Sequence, residues 1–512
     1  MQEQLSGSIE KTPVMIVGAG PVGLTLAASL AKQGIRSIVL EKKTKIDEHS
    51  RALAVAARTL EILHSYGLAG ECMKEGTFLR QIDLHDVSRG KAALRMSFAE
   101  IASETAYPGM LFLSQSRLES ILLDGVLASG LCDIRFAHQF VSYEETSSSV
   151  VVTFIDSHNV KTTMTASFLV GCDGAHSSVR QLWGQVLEGI TFPVRVFLCD
   201  VKVPDPFRGT LPFPRVQLTR SGLVGAIRYE PFHWRIMGTR PVEETEEEAL
   251  ISDNLPDLVA RLLGPGPFEQ LWMGVFSIHS RIAAGFRRGR VLLAGDAAHI
   301  SSPAGGQGMN SGMQDADNLG WKLAFALQGG DMERLLDSYN QERHSAALSG
   351  VLPFTTRASR FALRPRLFRM ALPALALALR SRKLRRAAGR RLAMLGTRYN
   401  KSCLILGEKK WAGRSAPGAT LLTSTVFIFD VSEKILQNVE QTTSELDRER
   451  LPFPVTVRRI EKTDPLWRRW QARPNLVALV RPDGFTGWAA LAPSAAEMRL
   501  AIRRALGILV AQ

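Results

Sequence analysis

Gly18, Gly20 and Gly23 stand at the spacing G-x-G-x-x-G within PVMIVGAGPVGLTLAASLAKQGIRSIVLEKK, and Glu41 closes that stretch. Residues of these types at this spacing can hold a dinucleotide. Gly18 makes a tight turn, Gly20 lets a pyrophosphate reach the backbone, and Gly23 lets a helix pack closely on a strand. The N–H groups at the helix start face phosphate charge. Glu41 lies roughly 20 residues beyond the glycines, where a carboxylate accepts from a ribose hydroxyl. Alone, this motif does not separate FAD from NAD. Two later turns have similar chemistry. One is Gly171-Cys172-Asp173-Gly174-Ala175-His176-Ser177-Ser178-Val179-Arg180; the other runs from Gly295-Asp296 through SSPAGGQGMN to Asn310.

Each turn needs a strand before it and a helix after it. Val14–Val17 reads as an apolar strand, Gly18-Ala19-Gly20-Pro21-Val22-Gly23 as the turn, Leu24–Gln33 as a helix and Ser37–Leu40 as a second strand. FLVGCD leads into the second turn, with Ser177 as a candidate N-cap, and a plain turn is the alternative reading there. RVLLAGD leads into the third. Its glycine cluster opens a long helix from Asn310 to about Leu327, another seat for partial negative charge. Asp296 suits either a helix cap or a cofactor hydroxyl, and its place beside two ligand-like turns favours the hydroxyl. Arg51 is either a solvated charge or a pyrophosphate contact.

Between these segments, AVAARTLEILHSYGL has the apolar spacing of an amphipathic helix, as does Ser114–Ala128. Residues 77–98 alternate apolar and polar, which predicts strands of another sheet. Residues 190–239 continue as strands, the acidic stretch EETEEEALISDNLPDLVARLL predicts a helix, and EQLWMGVFSIHSR a strand. This predicts an antiparallel sheet interleaved with the dinucleotide unit, the expected seat of a substrate.

At 512 residues the chain is long enough for two or three domains. Five scattered cysteines, none in C-x-x-C spacing, argue for a reducing, cytoplasmic setting and against a metal or dithiol site. The start MQEQLSGSIEKT has no hydrophobic signal region, and no apolar run approaches the roughly 20 residues of a membrane span. No acidic residue stands between Glu342 and Glu408, while arginines crowd residues 357–391. ALPALALAL inside that stretch is interrupted by Pro373 and predicts a pair of linking helices; weak association with a membrane surface is the alternative. Nucleic acid is disfavoured because aromatic residues are not interleaved with the charges.

Taken together, GAGPVG with Glu41, GCDGAHSSVR, and RGRVLLAGDAAHISSPAGGQGMNSGMQDADNLGWKLA resemble the class A flavin-dependent monooxygenases. These aromatic hydroxylases are similar in fold to para-hydroxybenzoate hydroxylase. The resemblance covers about residues 12–345. It implies an α/β fold, with an FAD-binding Rossmann-like βαβ domain interleaved with an antiparallel-sheet substrate domain. The expected layout has the FAD domain at 1–76, 114–190 and 281–345, the substrate domain at 77–113 and 191–280, and a basic helical linker at 346–400. WAGRSAPGATLL and LVALVRPDGFTGWAAL resemble the thioredoxin-like third domain of phenol hydroxylase and polyketide hydroxylases, here 401–512, although alanines replace the usual charges after the last tryptophan. Lacking C-x-x-C, that domain is expected to serve structure or subunit contact, as in a homodimer.

The resemblance further implies that Gly18, Gly20, Pro21 and Gly23 hold the FAD pyrophosphate and Glu41 the adenosine ribose. Arg51 and Gln115 match positions near the pyrophosphate and ribityl chain. Asp173 falls in a motif linked to FAD and to transient pyridine-nucleotide binding. Gly295 and Asp296 reach the ribityl hydroxyls, and the N–H groups of Gly308, Met309 and Asn310 face the flavin N1/O2 edge. Pro303 lies beside the flavin where its peroxide forms. NADPH or NADH would reduce non-covalent FAD, and O₂ would form a C4a-hydroperoxide that oxygenates a phenolic or polyketide-type aromatic. No second glycine motif marks a dedicated nicotinamide domain. A general base for a phenol proton is compatible with the family but is not named by the sequence; Tyr229, His233 and Arg235 in the substrate region are candidates for catalytic work, each with an ordinary structural or surface role as the favoured alternative. His299 and Cys172 read as structural. The same fold also supports Baeyer–Villiger oxidation, epoxidation or oxidative inactivation of an aromatic antibiotic. A halogenase lacks its W-x-W-x-I-P segment here, and a non-catalytic flavin-binding protein is the remote alternative.

Overall fold

The computed structural model describes residues 11–48, 52–204, 211–218, 223–241, 255–419, 421–448 and 455–508. The opening strand Lys11–Val17 runs into the helix Pro21–Lys32 and the strand Ser37–Glu41. Val14, Met15 and Ile16 are fully buried. Continuous rather than alternating apolar character is what a parallel strand covered on both faces requires.

This strand organises an eight-stranded sheet. It pairs in parallel with Ser37–Glu41 on one side and with Lys161–Gly171 on the other. Val291–Leu293 then pairs in parallel with Lys161–Gly171. The register places Val17 opposite Gly171, and Gly171 opposite Leu293. The three motif turns therefore leave neighbouring strands at one level, at their carboxyl ends, where open α/β sheets bind ligands.

A second eight-stranded sheet lies outside this unit, with Glu188–Lys202 paired between His233–Pro241 and Glu269–Ile282. Its pairing is antiparallel except where Arg215–Leu218 meets Gln81–Asp86 in parallel, the seam joining its early and late segments. The AVAARTLEILHSYGL stretch is not helical throughout. Ala54–Ala56 forms a short strand against Met110–Phe112, and the helix begins at Ala57. The acidic half of the expected helix falls outside the described residues, and its apolar end forms the helix Leu255–Leu263.

Three helices, not two, follow the FAD unit: Leu352–Ala362, Pro365–Ala378 and Arg382–Leu392. Pro373 sits inside the second without ending it. Pro373 is exposed and has no N–H to donate to the Arg369 carbonyl one turn back. The last unit is a five-stranded sheet in which Ser424–Phe429 pairs in parallel with Val455–Ile460 and antiparallel with Leu476–Val480. Thr486–Leu491 pairs antiparallel with Leu476–Val480, and the helix Ala495–Ala505 follows. Among the described residues, no helix is long and apolar enough to cross a membrane.

Candidate functional site

The three turns brace one another. A Cβ at Gly18, whose φ is +104°, would lie 2.6 Å from the Cys172 carbonyl oxygen, so the first turn rests on the second. One at Gly23 would lie 2.0 Å from the Gly18 carbonyl oxygen, which is the close packing the third glycine allows. A Cβ at Gly20 meets nothing within 4 Å, leaving room for a ligand against the backbone. Val22 packs where side chains at Gly295 and Gly312 would stand, at 2.7 and 2.6 Å, joining the first turn to the third. Arg180 joins the second to the third by donating to the Ala297 carbonyl at 2.9 Å.

Around this junction lie two helix starts without side-chain caps. The helix Pro21–Lys32 has Gly20 as N-cap, and Gly308–Leu327 has Gln307; neither carries an acid in its first turn. The first intrahelical bond of the longer helix runs from the Ser311 N–H to the Gln307 carbonyl, so the N–H groups of Gly308, Met309 and Asn310 present its positive end outward. The Asn310 side chain does structural work instead. It accepts from the Ala56 N–H at 2.8 Å and donates to the Ala54 and Gly306 carbonyls.

The carboxylates are placed differently. Glu41 accepts from the Ala19 N–H in the glycine turn and from the Lys43 N–H, both at 2.9 Å, which fixes it beside that turn. One Asp173 oxygen accepts from the Ser178 N–H at 2.7 Å, and the other is buried without a partner. Burial pushes the Asp173 carboxyl up, against the pull of Ser177 and nearby N–H groups. Asp296 is exposed at the mouth of the third turn, and Pro303 is exposed in the following loop. Gln115 donates to Glu119 at 2.8 Å and accepts from the Ala52 N–H at 3.2 Å. Burial lifts Glu119 to about 7. Arg51 lies outside the described residues. An open glycine cradle, two uncapped helix starts and a carboxylate at each turn fit a dinucleotide.

Behind the turns runs a buried polar network that the motif spacing did not reveal. Asp315 accepts from the Gly295 N–H at 3.1 Å, from Arg343 Nε at 2.6 Å, and pairs with His299 Nε2 at 2.7 Å. Burial alone would raise its carboxyl; Arg343 and His299 hold it below the usual range. His299 is thus the structural residue expected, and it stacks on Phe286. Glu342 pairs with Lys322 at 2.8 Å and with Arg481 at 2.6 Å, while Arg481 also pairs with Asp483. Asn318 donates to both Glu342 and Asp483. Arg58 donates to the Asp483 carbonyl at 2.5 Å. The only advance signal was the polar content of the DADNLGWKL helix.

Asp317, in the same network, accepts from the Tyr66 hydroxyl at 2.9 Å, and burial raises its carboxyl to about 6. A carboxyl raised above its unfolded value stabilises the fold below about pH 4 and loses that contribution as pH climbs through 6. Relative to Asp317→Asn, the wild-type chain should therefore lose up to about 3 kcal/mol between pH 4 and 7. Denaturant midpoints of both proteins across that range check this; a constant gap would refute it.

The substrate-region candidates cluster only in part. Arg235 is 1% exposed and makes a bidentate pair with Asp200, both contacts at 2.7 Å. Its guanidinium stands 5.9 Å from the centres of the Tyr229 and Trp272 rings. Burial pushes the Tyr229 phenol well up. Tyr229 therefore holds its proton at neutral pH. His233 sits at the strand end, half-buried, with Nδ1 2.9 Å from the Pro231 carbonyl oxygen.

A family profile described as an FAD binding domain matches residues 11–351. A flavin-dependent monooxygenase of Mycobacteroides abscessus is 36% identical over 352 residues, 66% of this chain and 72% of the relative. A 3-(3-hydroxy-phenyl)propionate/3-hydroxycinnamic acid hydroxylase of Comamonas testosteroni is 34% identical over 357 residues; the match spans 68% of this chain and only 58% of that protein's length. Among solved structures, OxyS anhydrotetracycline hydroxylase from Streptomyces rimosus superposes with a TM-score of 0.76 at 28% identity, covering 97% of this chain and 99% of that one. With the glycine turn, the Asp173 turn and the Gly295-Asp296 turn all inside the matched region, the chain belongs to the FAD-binding-domain family of class A flavin monooxygenases and aromatic hydroxylases.

Proposed function

We propose that this protein is an FAD-dependent, NAD(P)H-consuming monooxygenase that hydroxylates a phenolic or polyketide-type aromatic. The observation that carries the reading is the convergence of three turns at one sheet level, with Val17, Gly171 and Leu293 in register. Relatives named for hydroxylation of a phenylpropionate and of an anhydrotetracycline support the substrate class.

In this reading Gly18, Gly20, Pro21 and Gly23 hold the pyrophosphate, Glu41 the adenosine ribose and Asp296 the ribityl chain. Asp173 keeps one oxygen for a ligand. When bound, the flavin accepts a hydride and activates O₂. The chain's own part is to bind, orient and exclude water. The helix end at Gly308–Asn310 favours negative charge at the N1/O2 edge. Arg235, held by Asp200, shapes and polarises the substrate sheet together with Tyr229. The units 77–113 and 191–280 form the substrate domain. The last unit, 401–512, is thioredoxin-like, supported by its βαβ start, its later antiparallel strand pair and the helix that follows.

NADPH or NADH oxidation by the FAD-loaded protein, with and without phenols and polycyclic quinones, tests this. Stimulated turnover and a product one oxygen heavier are expected, and product connectivity separates hydroxylation from ring insertion. Failure of both nucleotides to reduce the flavin would sink the proposal. Asp296→Ala removes a charged hydrogen-bond partner, so FAD affinity should fall about tenfold to 100-fold. Fluorescence titration with FAD measures the change.

A further inference from the structure

Residues 343–407 hold fifteen Lys and Arg and no Asp or Glu, more charge than the +14 of the whole chain. Part of this charge is used internally. Arg385 pairs with Glu100 at 2.5 Å, and Arg386 and Arg390 both pair with Glu104, fastening the helix Arg382–Leu392 to the body. Arg364, Arg366, Arg369, Arg380, Arg382 and Lys383 remain exposed, and among the described residues none makes an ion pair.

Between these charges lies an apolar stripe. The helix Pro365–Ala378 buries Leu372 on its inner side, and its Phe368 ring packs 5.2 Å from Phe361. Its outer side shows Leu367, Met370 and Leu377 at 49%, 76% and 63% exposure, and Leu384 follows at 50%. Leu367, Met370, Ala374 and Leu377 are spaced three, four and three residues apart, so they share one helical face. A surface helix normally shows polar residues to water. This one is apolar inside and out, with arginines along its flanks.

We propose that this face seats on an anionic lipid surface. Leu367, Met370 and Leu377 would enter the boundary between headgroups and acyl chains, while the flanking arginines reach lipid phosphates. Charge complementarity selects this occupant. A second copy would set two strongly cationic faces against each other, and a nucleic acid would leave the apolar stripe against a polar backbone. The helix has 14 residues, about 21 Å at 1.5 Å each, so it lies along a bilayer rather than crossing it. The same helical unit braces the loop after the third turn: Ser359 bonds Ser302, and Gln307 donates to the Arg391 carbonyl at 3.0 Å.

The test is co-sedimentation of the full-length, FAD-loaded protein with phosphatidylcholine vesicles, with and without phosphatidylglycerol. Binding is expected only with phosphatidylglycerol and should weaken as NaCl rises. Replacing Arg380, Arg382 and Lys383 by Gln should lower partitioning on the order of 100-fold, about fivefold for each charge. Met370→Ser with Leu377→Ser should also lower it at unchanged charge, and retained flavin absorbance shows that each variant is folded. No binding to phosphatidylglycerol vesicles at low salt overturns the proposal. Binding that ignores the Ser pair also overturns it, because the site would then be one for soluble polyanions. So does a dimer in analytical ultracentrifugation that the Ser pair dissociates while vesicle binding is absent.

Discussion

Gly23→Ala should abolish FAD retention, giving a colourless protein after purification. The added methyl would stand 2.0 Å from the Gly18 carbonyl oxygen, with the Ile16 side chain at 3.4 Å behind it. The obstructing atom is backbone, so a side-chain rotation cannot relieve the clash. The turn must open, and opening it moves Gly18 away from Cys172 and Val22 away from Gly295 and Gly312. One methyl thus separates all three turns. Strain on this scale costs several kcal/mol, and each 1.4 kcal/mol is tenfold in affinity, so FAD binding should weaken at least about 100-fold. Gly20→Ala is the control: its Cβ meets nothing within 4 Å, so the apoprotein should fold normally and only ligand approach should suffer. If Gly23→Ala binds FAD with wild-type affinity, the packing described at this turn is wrong.

Arg481→Met should destabilise the protein by about 3–5 kcal/mol, the cost of removing one partner from a buried pair. Arg481 is fully buried and pairs with two carboxylates, Glu342 from the FAD unit and Asp483 from its own unit. Without it, Glu342 keeps Lys322, Ser402 and Asn318, whereas Asp483 keeps Asn318 and the Phe485 N–H. The group most harmed is Asp483, whose backbone carbonyl also holds Arg58. Urea unfolding should show the last unit melting ahead of the rest. Glu342→Gln combined with Arg481→Met should cost less than the two separate effects added, since both remove the same interaction. Strict additivity would mean the pair is not coupled.

How much of this could be read from the chain depended on distance along it. The glycine turn, its flanking strands and Glu41 lie within one short stretch, and local spacing specified them. The strand-to-turn pattern likewise marked Asp173 and Asp296. The braces between the turns were not legible, because Arg180 meets the Ala297 carbonyl through a fold that spacing does not report. Arg481 meeting Glu342 across 139 positions, and Arg58 meeting the Asp483 carbonyl across 425, lie further still beyond its reach. At Ala54–Ala56 the helical spacing of the sequence is overridden by a pairing with Met110–Phe112 that only the tertiary structure supplies. Pro373 reads locally as an interruption, yet the helix Pro365–Ala378 runs through it with the proline exposed. For Arg235, type and region were visible, but the Asp200 partner that commits its charge was not.

The register of the first sheet also constrains how the protein is made. Its central strand is synthesised first, yet it waits for Lys161–Gly171, and that strand waits for Val291–Leu293. Such non-local pairing is slow to form and leaves strand edges open during synthesis. A chain interrupted on the ribosome before the third turn has the glycine motif but no complete seat for the cofactor. Occupancy by FAD therefore reports a chain read through at least to the helix Gly308–Leu327, and cofactor supply acts on the yield of folded protein as well as on its chemistry.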